Sequence, residues 1–281
     1  MADVAREQER GRAGRRLRWC LIRAHGWTVP VLLAVIAVDI VLGGAMGPWF
    51  LLLVALAVPF YAGVPLWLRS GRRQAAHEPV EVEAPVTGEW LALNGPADKV
   101  PSHGVRFLGQ EYAIDLIVDS EERPASTWWP PMRRNEAFPA FGRPLLAVAG
   151  AEVVHVEDGA RDHLSRGTYP ALLYMLVEGL LRQALGAHRL LGNHVVLDLG
   201  GGVYALYAHL RQGSVRVRPG DRVGTGQVLG GCGNSGNSSE PHLHFQLMDA
   251  ADPRLAVGVP FTWRGVGVPA DGTVFSVSER R

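Results

Sequence analysis

The sequence predicts a mainly β domain with a helical insertion, preceded by an N-terminal transmembrane helical hairpin. Three observations carry this expectation. Residues 27–68 are almost uninterruptedly apolar, with Asp39 the only formal charge. From Gly88 onward, short Val/Leu-rich runs recur between Gly and Pro, the mark of short strands joined by turns. One stretch, residues 170–191, instead carries Leu172, Leu173, Leu176, Leu180, Leu181 and Leu185 mostly at three- and four-residue steps. A chain of 281 residues with 47% hydrophobic residues can form one sizeable globular domain plus something smaller, and its composition argues against disorder.

The N-terminal segment, residues 1–26, is basic: Arg6, Arg10, Arg12, Arg15, Arg16, Arg18 and Arg23 crowd it. The whole chain has a formal net charge of only +1, which gives no case for nucleic acid as a partner. Gly47-Pro48 divides residues 27–68 into two runs of about 20 residues, each long enough to cross a bilayer and too long for a signal-peptide core. Trp27, Trp49 and Trp67 lie near the ends of the runs, where interfacial indoles are favoured. Arginines precede the first run, and Arg69, Arg72 and Arg73 follow the second, so the positive-inside rule places both ends in the cytoplasm. If only one run spans, the C-terminal domain lies outside.

Residues 69–86 read as a linker, polar and acidic with Pro79 and Pro85. The main domain is expected over 87–268, with strand-like runs at 144–148, 195–199 and 203–210, and residues 269–281 read as a tail. The 170–191 helix either packs on the β core or docks on a membrane surface. Cys20 and Cys232 cannot form a disulfide framework; Cys232 reads as a small buried residue, with metal ligation the alternative.

The chemistry concentrates where a Gly/Asn/Ser loop, Gly233-Asn234-Ser235-Gly236-Asn237-Ser238-Ser239, runs through Glu240-Pro241 into His242-Leu243-His244-Phe245. Strand side chains alternate faces, so His242 and His244 project to one side, with Leu243 and Phe245 on the other. A catalytic zinc usually takes three ligands from His, Asp, Glu or Cys and leaves a position open. Asp115 is a lone carboxylate in the apolar run Tyr112-Ala113-Ile114-Asp115-Leu116, and a buried carboxylate requires a cationic partner, which a metal would supply. His103 in Ser102-His103-Gly104 and His209 in Tyr207-Ala208-His209-Leu210 are further candidates, the latter expected on the same face as Tyr207.

The ordered set of His103, Asp115, Tyr207 to Leu210, the run from Val217 to Gly230, Gly233 to Gly236 and His242 to Phe245 resembles the lysostaphin/LytM-type zinc metallopeptidases. The likeness covers roughly residues 88–263. It implies a LytM-type β-sheet peptidase domain over 87–268, with one zinc per chain held by His103, Asp115 and His244. His209 and His242 would then flank the reacting water as catalytic groups. It further implies hydrolysis of peptide bonds in peptidoglycan, at the plasma membrane of a bacterium, by an extracytoplasmic domain anchored through residues 27–68. The arginine distribution points instead to the cytoplasm.

Two departures stand out. His103 and Asp115 are twelve positions apart, farther than in the commonest family pattern, and residues 119–141, with Trp128-Trp129-Pro130-Pro131, form an insertion that could wall or cover the groove. His155, His163, His188 and His194 lack motif context and read as packing or surface histidines. Glu240 reads as a loop residue. The competing function is a catalytically silent LytM-type regulatory or scaffold module that binds a cell-wall enzyme or other partner; such modules usually lack the zinc ligands. A lipoyl- or biotinyl-carrier reading of the Gly220-to-Gly230 run fails because Lys99, the only lysine, is remote from it.

Overall fold

The computed structural model describes residues 20–21, 24, 27–28, 31–41, 43, 47, 49, 52–53, 55–57, 78–121, 123–124 and 128–278. The chain forms two compact units, residues 1–75 with 177–186, and residues 76–176 with 187–281. In the first, residues 31–41 are helical, and Val31, Leu33, Val38, Ile40 and Val41 are exposed. Among the described residues no helix is long and apolar enough to cross a membrane. Much of the hairpin expected over 27–68 lies outside the described residues.

The second unit is mainly β. Its largest sheet has nine strands, ordered β13 (Val274–Val277), β2 (Gly88–Leu93), β3 (Ile114–Ile117), β10 (Leu243–Met248), β7 (Val203–Leu210), β6 (Asn193–Gly200), β5 (Ala151–Glu157) and β8 (Arg222–Val223), with β11 (Gly258–Val259) also on β10. Every pairing within it is antiparallel. Two small sheets join β1 (Val80–Val82) to β12 (Phe261–Trp263) and β4 (Pro144–Leu146) to β9 (Val228–Gly231). The expected helical insertion falls between β5 and β6 as α1 (Tyr169–Leu185) and α2 (Ala187–Leu191). Ala171 of α1 is buried, whereas Tyr169, Leu172 and Tyr174 are exposed.

Two segments expected outside the domain contribute to it. Val80 to Val82, within the stretch read as linker, pair in parallel with Phe261 to Trp263, and Val82, Ala84 and Val86 are buried. Val274 to Val277, within the expected tail, pair with β2 at one end of the sheet, where Phe275 packs on Trp263. Both strands are short, so tertiary pairing rather than local pattern decides them.

The central strands sort cleanly by face. One face carries the main core, where Trp90, Ile114, Leu116, Tyr207, Leu243, Phe245 and Leu247 are buried together. Tyr207 and Phe245 are paired residues and meet edge to face at 5.3 Å, an arrangement that adds to the area they bury. The opposite face carries a smaller cluster of Leu108, Val196, Leu206, Ala208 and Met248, and beside it the polar side chains of β3 and β10.

His209 departs from the expected alternation. Asn193 pairs with Leu210 and the next residue, His194, pairs with Ala208, so His209 is an extra, bulged residue, with φ of 63°. Ala205, Tyr207 and Leu210 all lie in the main core, a step of three across the bulge. His209 therefore leaves the Tyr207 face and joins the face of Ala208 and His244, contrary to the sequence expectation. Bulges re-aim side chains in this way. A non-glycine residue at positive φ costs on the order of 1–2 kcal/mol, which the surrounding hydrogen bonds must offset.

The Tyr207 hydroxyl accepts a bond from the Val148 N–H at 3.0 Å in a fully buried setting. Tyr207→Phe leaves that N–H without its partner and should destabilise the chain by about 1–3 kcal/mol in denaturant unfolding. Unchanged stability would show that the hydroxyl does not carry this role.

Candidate metal centre

The register of three strands builds the site. On β10, His244 sits opposite Asp115 of β3 and opposite Ala208 of β7, so a carboxylate and an imidazole are cross-strand neighbours on the face away from the main core. The bulge delivers His209 to the same place, and His242 precedes β10 with the side-chain parity of His244. The His209 and His242 rings lie 4.7 Å apart, and those of His209 and His244 5.9 Å apart. His103 arrives from the connection before β3, its ring 5.1 Å from that of His244. All five residues named from the sequence are thus brought together. His155, His163, His188 and His194 are not.

His103, Asp115 and His244 offer one ligand atom each, all within 4.8 Å of one another; among the described residues this is the one such group. His103 Nε2 lies 2.9 Å from Asp115 Oδ2, and His244 Nδ1 lies 2.8 Å from Asp115 Oδ1. Asn94 donates to Asp115 Oδ2 at 3.0 Å. Burial alone would raise the Asp115 carboxyl, but His103, by charge and hydrogen bond, together with His242 and His244, holds it well below the ordinary carboxylate range.

The outer hydrogen bonds reveal what the inner atoms require. Gln246 donates from Nε2 to the Leu108 carbonyl at 2.7 Å, which turns its Oε1 to accept from His244 Nε2 at 3.0 Å. Ser102 donates to the Gln110 carbonyl at 3.3 Å, leaving its oxygen to accept from His103 Nδ1 at 3.1 Å. If both rings are neutral in these tautomers, each presents a lone pair to a carboxylate that is itself an acceptor. A single divalent cation satisfies the set without placing two like charges side by side. Two imidazoles and a carboxylate are also the ligand types zinc uses at catalytic sites. The donor set fits zinc.

His209 and His242 differ from the other two. The His209 Nδ1–H donates to the Ser235 carbonyl at 2.8 Å, and the His242 Nδ1–H to the Glu240 carbonyl at 2.8 Å, with Ser238 Oγ at 3.0 Å. Both therefore keep Nε2 free; that of His242 lies 3.7 Å from Asp115 Oδ1. Burial, and then the neighbouring His242 and His244, push the His209 imidazole well below its ordinary range, so it is neutral at neutral pH. Its strained backbone is held by Ser235, whose hydroxyl donates to the Leu210 carbonyl at 2.8 Å and accepts from the Asn193 N–H at 2.9 Å. The Asn193 side chain adds a bond to the same carbonyl at 3.0 Å.

The 119–141 insertion, with His163 and Arg166 beyond it, binds the loop that leads to His242. Arg123 grips Glu240 through Nη2 at 2.7 Å and Nε at 3.2 Å, which leaves Glu240 an ion-pair partner rather than a free base. Asn234 donates to Asn135 Oδ1 at 2.8 Å and to the His163 carbonyl at 3.1 Å, and Arg166 N–H donates to the Ser239 carbonyl. Trp128 and Trp129 of this insertion are exposed.

The remaining candidates have structural partners. His163 is buried with its ring nitrogens facing the Leu164 and Gly236 carbonyls, each at 2.9 Å. His194 stacks on His155 at 4.9 Å, and burial lowers its imidazole to about 4. Cys232 is fully buried, and burial raises its thiol, which disfavours the thiolate a metal would need. Sequence reasoning missed Asn94 and Gln246. Gln246 was within reach, two residues beyond His244 on the same strand face; Asn94 carried no such signal.

Residues 176–254, which include His209, His242 and His244, match the family described as Peptidase family M23. The glycyl-glycine endopeptidase ALE-1 of Staphylococcus capitis is 47% identical over 58 residues, 20% of this chain and 16% of that protein. The peptidoglycan DD-endopeptidase ShyA of Vibrio cholerae is 36% identical over 66 residues, 24% of this chain and 15% of that protein. The chain thus spans less than a fifth of the length of either relative. Among solved structures, the catalytic domain of lysostaphin from Staphylococcus simulans aligns with 17% identity over 69% of this chain and 92% of that chain, with a TM-score of 0.32.

Proposed function

This chain carries a domain of the lysostaphin/LytM-type peptidase family, and from that premise we propose that it is a membrane-anchored zinc metalloendopeptidase hydrolysing peptide bonds in peptidoglycan. The observation that carries the reading is the convergence of His103, Asp115 and His244, whose ligand atoms all lie within 4.8 Å of one another, beside two histidines held through Nδ1 by backbone carbonyls. His103, Asp115 and His244 would hold one zinc per chain. When bound, zinc polarises the scissile carbonyl and makes water a competent nucleophile near neutral pH.

His209, neutral and fixed with its proton on Nδ1, accepts the proton of the attacking water at Nε2 and returns it to the leaving amine. His242, held through Nδ1 by the Glu240 carbonyl, presents its Nε2 to the oxygen that gains charge in the transition state. The Ser235 and Glu240 carbonyls keep both rings oriented before substrate arrives. That all five positions are filled favours catalysis over a silent regulatory or scaffold module. The catalytic unit is taken as 87–268 extended by β1 and β13. Residues 27–68 serve as the anchor in a bacterial plasma membrane, with the catalytic unit on the outer side, where peptidoglycan lies.

The full chain should bind about one zinc, and His244→Ala or Asp115→Ala should abolish it; full metal content in both variants would refute the ligand assignment. His209→Ala should keep the metal and lose about 10²–10⁴-fold in turnover of peptidoglycan, and unchanged turnover would remove His209 from the mechanism. A reporter fused after Arg281 should be active only outside the cell membrane. Activity confined to the cytoplasm would rule out a cell-wall substrate.

A further inference from the structure

The long connection between His103 and Asp115 contains an unusual local structure. Phe107–Tyr112 forms a 3-10 segment in which Leu108 and Gly109 both take left-handed backbone conformations, with φ of 60° and 72°. For Leu108, a buried non-glycine residue, that conformation is strained, and strain of this kind persists only where the surroundings enforce it. The surroundings do so on both sides. The buried Glu111 carboxylate accepts the Gly258 N–H of β11 at 2.8 Å. The Leu108 carbonyl accepts the Gln246 amide at 2.7 Å. A Cβ on Gly109 would lie 3.2 Å from Gln246 Nε2, so the backbone approaches the amide closely.

Gln246 is fully buried and stands two residues beyond His244 on the same strand face. Its amide has one orientation that satisfies both neighbours: Nε2 to the Leu108 carbonyl, Oε1 to His244 Nε2 at 3.0 Å. Metal-binding histidines gain affinity when the second nitrogen is held by such a partner, which fixes both the tautomer and the aim of the ring.

Resting on the reading of this site as a zinc centre, we infer that the lengthened His103–Asp115 connection is a brace for the third ligand. It holds Gln246 through the Leu108 carbonyl, and Gln246 holds His244 with its proton on Nε2 and its Nδ1 lone pair on the metal. Gln246 is a positioning residue; it touches neither metal nor substrate.

The test compares Gln246→Leu and Gln246→Glu in the full chain, with zinc affinity read by competition against a chromophoric chelator. Leucine fills the buried space but offers no acceptor, whereas glutamate keeps an acceptor toward His244. Gln246→Leu should bind zinc about 10–100-fold more weakly, with Gln246→Glu, which keeps the acceptor toward His244 but has no donor for the Leu108 carbonyl, recovering part of the loss. A role in packing alone gives the reverse order, with leucine tolerated and a buried carboxylate harmful, and that result overturns the inference. Independently of either variant, zinc-loaded wild-type protein should show a His244 Nε2–H proton in NMR spectra that exchanges slowly with water. Its absence overturns the inference even if Gln246→Leu fails to fold. A wild-type chain that binds no zinc removes the zinc-centre reading as well, whereas zinc binding unaffected by Gln246→Leu removes this inference alone.

Discussion

The cross-strand pairing of Asp115 with His244 is the constraint on which the rest of the site depends. Strand side chains alternate with a period of two, so a slip of one residue in the β3–β10 register would send Asp115 into the main core and replace it at the site with an aliphatic side chain. Ile114, Leu116, Leu243 and Phe245, all fully buried on the far face, resist that slip. Each such side chain gives up about 1.5–3 kcal/mol when moved into water. The apolar half of each strand thereby fixes where the polar half points. A hydrophobic core on one face is the positioning device for a polar cluster on the other.

The bulge at His209 is the second device, and it works against local preference. An unbroken β7 would bury His209 beside Tyr207. The extra residue turns it to the His244 face, at the expense of a positive φ that Ser235 and Asn193 stabilise through the Leu210 carbonyl and the Asn193 N–H. The Gly/Asn/Ser loop before His242 therefore does more than shape the entry to β10. Its Ser235 carbonyl orients His209, its Glu240 carbonyl orients His242, and its Asn234 and Glu240 side chains are gripped by the 119–141 insertion.

Much of this was legible in the sequence, for identifiable reasons. His242 and His244 declare a shared face through their spacing, and Asp115 declares itself by standing alone among apolar neighbours. The helical insertion announced itself through leucine spacing. The face of His209 was not legible, because a bulge breaks the parity rule and nothing in Tyr207-Ala208-His209-Leu210 marks it. The strands at 80–82 and 274–277 were hidden for another reason. They are too short for their alternation to outweigh Pro79, Pro85 or their place near a terminus, and they exist because partners elsewhere in the chain accept them. The role inferred for the long His103–Asp115 connection rests on the Leu108 carbonyl facing Gln246, a contact that no local pattern marks.

The central proposal is that His103, Asp115 and His244, two imidazoles and one carboxylate brought together on one sheet face, hold a zinc ion. X-ray absorption at the zinc edge of the full chain loaded with one equivalent measures it most directly. The account predicts nitrogen and oxygen neighbours at about 2.0–2.2 Å, including the outer-ring scattering of two imidazoles and no sulfur. A sulfur neighbour at about 2.3 Å, or a shell of oxygens without imidazole, would contradict it.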